Sequence, residues 1–66
     1  MRILRKPEVE EKTGLSGQTI WRKERAGQFP RRIMLGPNSV GWLEAEIDEW
    51  IAARVAERDA ARAATA

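Results

Sequence analysis

The sequence predicts a small α+β domain with three helices and one β-hairpin between the second and third. Three observations carry that expectation. Ser16 stands two residues after Gly14, where an N-cap separates two short helical stretches. Arg31 to Leu35 and Val40 to Trp42 flank Gly36-Pro37-Asn38-Ser39, a set of tight-turn residues. Leu43, Ile47, Trp50 and Ile51 recur at helical period, with Glu44, Glu46, Asp48 and Glu49 near the start of that helix.

The elements follow in order. Arg2-Ile3-Leu4-Arg5 alternates as a short strand. The first helix is predicted from Pro7 to Thr13, with Pro7 in its first turn and Glu8, Glu10 and Glu11 suiting the helix dipole. Val9 and Thr13 lie four apart on one face, and Gly14 is a suitable left-handed terminator. The second helix is predicted from Gly17 to Ala26, ending at Gly27. Its cap lacks a reciprocal capping box, because position 19 is Thr. Helix, tight turn and helix make a helix-turn-helix. Phe29-Pro30 forces extended backbone, and the hairpin that follows, with a four-residue tip, takes the place of a wing. The expectation is a small winged helix-turn-helix domain over residues 1–58. Residues 59–66 form an alanine-rich tail, either frayed or extending the last helix. Arg54 interrupts the apolar stripe, so the core is expected to end near it, with Val55 an outlier.

Composition excludes several function classes. The 66 residues include no Cys and no His, so disulfides and the common zinc sites are ruled out. Three Trp supply apolar area instead; Trp42 and Trp50 are expected in the core. There is no Tyr, and neither Ser16 nor Ser39 has a plausible base partner. Gly14-Leu15-Ser16-Gly17 is too short for a phosphate loop. The chain therefore reads as a non-enzyme with no metal, no cofactor and no small-molecule substrate. No long apolar run is present and the N-terminus is charged, which points to a cytoplasmic protein without a membrane partner. The net charge of +2 hides an asymmetry. Residues 1–41 hold nine Lys or Arg against four acids, while residues 42–66 hold three Arg against six acids. A polyanion partner for the front half is implied.

The second helix would do the reading. Gln18, Trp21, Arg22 and Arg25 share one face, and Ile20 and Glu24 the opposite one, with Lys23 at its margin. Gln pairs with adenine and Arg with guanine through two hydrogen bonds, and Arg also binds phosphate. Ser16, Gly17, Gln18 and Thr19 stand at the helix start, which reaches base edges first. Trp21 lies on the flank, either packed against the hairpin, the favoured reading, or donating its indole N–H to sugar or phosphate. In the wing, Arg31 and Arg32 are adjacent, so only one is expected to face a given ligand surface. Asn38 and Ser39 either satisfy the turn or donate to phosphate. Arg5 and Lys6 either touch a DNA backbone or serve as loose surface charge.

The segments Pro7-Glu8-Val9, Thr13-Gly14-Leu15-Ser16, Thr19-Ile20-Trp21-Arg22, Gly27-Gln28-Phe29-Pro30, Leu35-Gly36, Val40-Gly41-Trp42, Glu46-Ile47 and Trp50 come in an order that resembles the AlpA-type prophage regulatory proteins. These are similar to the wider MerR-like and excisionase-like winged helix-turn-helix group. The likeness covers about residues 3–58. It implies a bacterial regulator of integrated phage or genomic-island genes that binds double-stranded DNA. The resemblance maps Ser16, Gly17, Gln18, Thr19, Trp21 and Arg22 to the turn and recognition helix. Arg31, Arg32 and the tip through Asn38 and Ser39 map to the wing. Many members carry apolar residues where this chain has Lys23 and Glu24, so the second helix is expected to be less well buried. A single module of this size binds weakly, which points to a dimer or a cooperative array on DNA. Two alternatives remain: an excisionase-type DNA-bending factor, and a protein-interaction module acting through Glu44, Glu46, Asp48 and Glu49.

Overall fold

The computed structural model describes the backbone of residues 1–65 and the side chains of residues 1–63. The elements run β1 (Ile3–Leu4), α1 (Lys6–Thr13), α2 (Gly17–Arg25), β2 (Ile33–Gly36), β3 (Ser39–Leu43) and α3 (Glu44–Thr65). Three helices with a hairpin between the second and third make the expected α+β winged helix-turn-helix. Local chemistry sets the boundaries. The Glu8 carboxylate accepts the Arg5 backbone N–H at 3.0 Å, which satisfies one donor ahead of α1. Gly14 ends α1 at φ 73°, in the left-handed region that glycine enters without a Cβ clash.

The sheet holds more than the hairpin. β3 lies in the middle of the order β1-β3-β2, and both pairings are antiparallel. Ile3 faces Leu43, and Leu4 faces Trp42. This pairing corrects two expectations. Leu43 ends β3 instead of starting the last helix, because β1 gives it a strand partner and the Glu44 N–H then donates to the Arg2 carbonyl at 2.9 Å. The hairpin tip is also shorter than four residues. Gly36 and Ser39 face each other across the ladder, which leaves Pro37 and Asn38 as the turn. Asn38 takes φ 59°. Pro followed by a left-handed residue is the pattern a type II turn requires. Between Met34 and Gly36 the register shifts, so Leu35 is an extra residue in a bulge.

Leu4, Val9, Ile20, Phe29, Trp42 and Ile47 form the buried core, one from each element except β2 and Phe29 from the connection ahead of β2. Leu15, Val40, Trp50 and Ile51 pack against it. Trp42 is fully buried as expected; Trp50 is half-buried, its ring meeting Phe29 edge-on and its N–H donating to the Gln28 carbonyl at 2.8 Å. Arg2 bonds Glu8 and Glu44, and Lys12 bonds Glu44 and Asp48, so Arg2 and Lys12 tie the front of the chain to Glu44 and Asp48 on α3. The hydrogen bond that Lys12 donates to the Asp48 carboxylate holds its amine above its usual range. The stripe on α3 stops at Ile51, and every residue from Ala52 to Ala63 is exposed. The 22 residues of α3 span about 33 Å. The helix continues through the alanine-rich tail as far as Thr65, and Ala66 lies outside the described residues.

Candidate nucleic-acid interface

α2 begins on its cap. Ser16 Oγ accepts the Thr19 N–H at 3.2 Å, and its hydroxyl donates to Thr19 Oγ1 at 3.0 Å. Arg22 Nη2 reaches the same Thr19 oxygen at 3.4 Å. The hydroxyls of Ser16 and Thr19 thus brace the first turn and hold Arg22 along it. Gly17 sits under the Lys6 side chain: a Cβ there would lie 2.9 Å from Lys6 Nζ. Lys6 is thereby brought against the start of α2, a placement that Arg5-Lys6 ahead of Pro7 only hinted at.

The outer face of α2 presents Gln18, Trp21, Arg22 and Arg25, all exposed. The Arg25 guanidinium lies 4.6 Å from the centre of the Trp21 ring, within cation–π range. Trp21 is 49% exposed beside Arg31, Arg32 and Trp42, so about half of the ring stays open whatever it packs against.

Glu24 is the organising residue of the inner face. It is 8% exposed, and its carboxylate accepts four hydrogen bonds. The Arg32 backbone N–H donates at 2.8 Å and Arg32 Nε at 2.9 Å, with Arg32 Nη2 as a third donor. The Trp42 indole N–H completes the set at 3.2 Å. A buried carboxylate is tolerable only when paired and hydrogen-bonded in this way. The Arg32 guanidinium also lies over the Trp42 ring at 5.3 Å. So α2 is held by Ile20 and by a polar clamp, and its burial does not suffer from Glu24 as expected. Sequence reasoning missed Glu24. The available signal was a lone acid on the apolar face of a helix, four residues after Ile20, in a chain with two consecutive arginines ahead of a strand.

The two arginines accordingly separate. Arg31 is exposed and lines a hollow of about 310 Å³ with Trp21 and Arg25, while Arg32 forms its floor beside Glu24. At the far end of the hairpin, Asn38 is exposed in the turn and Ser39 is half-buried in the ladder. Met34 and Leu35 are both exposed on the wing, which the sequence reading did not single out. The structure therefore gathers Gln18, Trp21, Arg22, Arg25 and Arg31 on the side formed by α2 and the base of the wing. Asn38 and Ser39 stand about 13 Å along β2 from that base.

Comparisons with known proteins show the family. The family described as "Prophage CP4-57 regulatory protein (AlpA)" matches residues 2–55. The chain is 48% identical over 60 residues to the protein called "DNA-binding transcriptional activator AlpA" of Escherichia coli (strain K12), covering 82% of this chain and 86% of that protein. It is 46% identical over 57 residues to "Uncharacterized protein ORF88" of Enterobacteria phage P4, covering 86% of this chain and 65% of that relative. A match over residues 2–55, together with identity near one half, makes this chain a member of the AlpA family of prophage regulatory proteins.

Proposed function

We propose that this chain is a sequence-specific regulator of transcription that binds double-stranded DNA, acting on prophage or genomic-island genes in the bacterial cytoplasm. α2 enters the major groove, and the wing lies on the backbone or the minor-groove edge. The observation that carries this reading is the face made by Gln18, Arg22 and Arg25 on α2, with Arg31 beside it. Gln18 and Arg22 supply side chains that pair with base edges, and Arg25 and Arg31 supply charge for phosphate. The similarity to a relative named as a DNA-binding activator supports it. The acidic side of the molecule supports it less directly. Glu44 and Asp48 bond to Arg2 and Lys12 within the chain, which leaves a smaller acidic surface for a basic protein partner.

A module of this size buries roughly 600–1,000 Å² on DNA, so a single copy binds modestly. Two or more copies on repeated sites, as a dimer or a cooperative array, supply the remaining affinity. The test begins with selection of bound sequences from a random duplex pool, followed by footprinting. Gln18→Ala and Arg22→Ala should each relax preference at one or two base positions, at about 1–3 kcal/mol per lost pairing. No measurable affinity for any duplex at low salt would sink the proposal.

A second reading, DNA bending in the manner of an excisionase, draws on the wing. Met34 is 69% and Leu35 46% exposed. Apolar side chains of this kind wedge between base steps and kink the duplex. Bending by the wild-type chain that is lost in a Met34→Ser, Leu35→Ser double variant would favour it over polymerase recruitment.

A further inference from the structure

We infer that the sugar–phosphate backbone of one DNA strand lies along the seam between α2 and the sheet, with Trp21 standing between two phosphate seats. The inference rests on the DNA-binding reading above and makes it specific at one place. Trp21 contributes nothing to the buried core, yet it projects half-exposed beside the wing. It forms the wall shared by two hollows. One, of about 310 Å³, is lined by Arg25, Arg31 and Arg32. The other, of about 240 Å³, is lined by Lys6, Gly17 and Gln18, with Arg32 and Trp42 beneath.

The charges that line the two hollows are mainly cationic. Lys6, Arg25 and Arg31 have no acidic partner within ion-pair distance among the described residues. Two acids lie near the seam: Glu24, whose carboxylate is turned to Arg32 and Trp42, and Glu10, whose carboxylate lies beside Gly17 next to Lys6 without forming an ion pair with it. Cations on both sides of a large uncharged ring match a strand in which phosphates alternate with sugars. The sugar packs on the ring, and the indole N–H, which only donates, is aimed by its chemistry at an oxygen. Arg25 keeps the ring in place from the α2 side at 4.6 Å. Backbone contacts of this kind add affinity and register without base preference.

The experiment uses the full chain, a mixed-sequence duplex and three proteins: wild type, Trp21→Ala and Trp21→Phe. Trp21→Ala should weaken binding to the mixed-sequence duplex by about tenfold, and by a similar factor on a selected site. Trp21→Phe, which keeps a ring but no N–H, should recover most of that loss. Acrylamide quenching of tryptophan fluorescence supplies a readout that does not need the alanine variant to fold. In wild type the quenching should fall when DNA saturates the protein, and that change should vanish in Trp21→Phe. Equal binding of wild type and Trp21→Ala to the mixed-sequence duplex would overturn the inference and leave the DNA reading standing, as would quenching that DNA does not alter. Failure of wild type to bind any duplex at low salt overturns both.

Discussion

Two arginines ahead of β2 carry the same charge, and Glu24 claims only one of them. Arg32 gives it three donors, while Arg31 remains exposed beside Trp21 and Arg25. Opposite consequences of truncation follow. Arg32→Ala leaves a buried carboxylate short of its main partner, and should cost about 2–4 kcal/mol in urea unfolding, somewhat less than a fully buried pair because Arg32 is partly exposed. Arg31→Ala should leave stability within about 0.5 kcal/mol, weaken binding to all duplexes alike, and lower the salt dependence by about one counterion. Adjacent side chains on extended backbone point opposite ways, so a split of the pair was expected, although β2 itself begins only at Ile33. Which arginine turned inward was not legible, because that depends on an acid seven or eight positions earlier that only the fold brings under the wing. Gln18, Arg22 and Arg25 were legible as a common face because helical geometry alone places them there.

Punctuation made the helices readable. Ser16 caps α2 through the Thr19 N–H, and Gly14 turns left-handed after α1, as residues of those types do. The third strand was harder to read. β1 has two residues, too few for a period, and its partner lies forty positions away. Its proximity depends on Gly41. A Cβ at that position would stand 2.5 Å from Ile3 Cγ2 and 3.1 Å from the Leu4 carbonyl oxygen. Backbone on one side leaves little room to yield. Gly41→Ala should therefore destabilise by about 1–3 kcal/mol, read as a lower urea midpoint with an unchanged slope. An unchanged midpoint would mean that β1 can shift outward at no cost.

For the whole molecule, the length of α3 decides the shape. The core ends at Ile51, and the principal extents are 50 × 25 × 19 Å because the helix continues beyond it. Alanine content favoured the continuation, but nothing in the periodicity required it, since the stripe had already stopped. Removing residues 57–66 deletes no core side chain among the described residues and should move the thermal midpoint by no more than about 5 °C. A larger drop, or one that depends on protein concentration, would show that this segment meets a second copy. The same view of the molecule bears on synthesis. Ile3 and Leu4 are made about forty residues before their strand partners Leu43 and Trp42. Until then Leu4 has no strand beside it, and Trp42 is not there to be covered. Nascent α1 and α2 are thus short helices without a core, and chain closure waits on the hairpin. The first strand finds its place only once the third has been made.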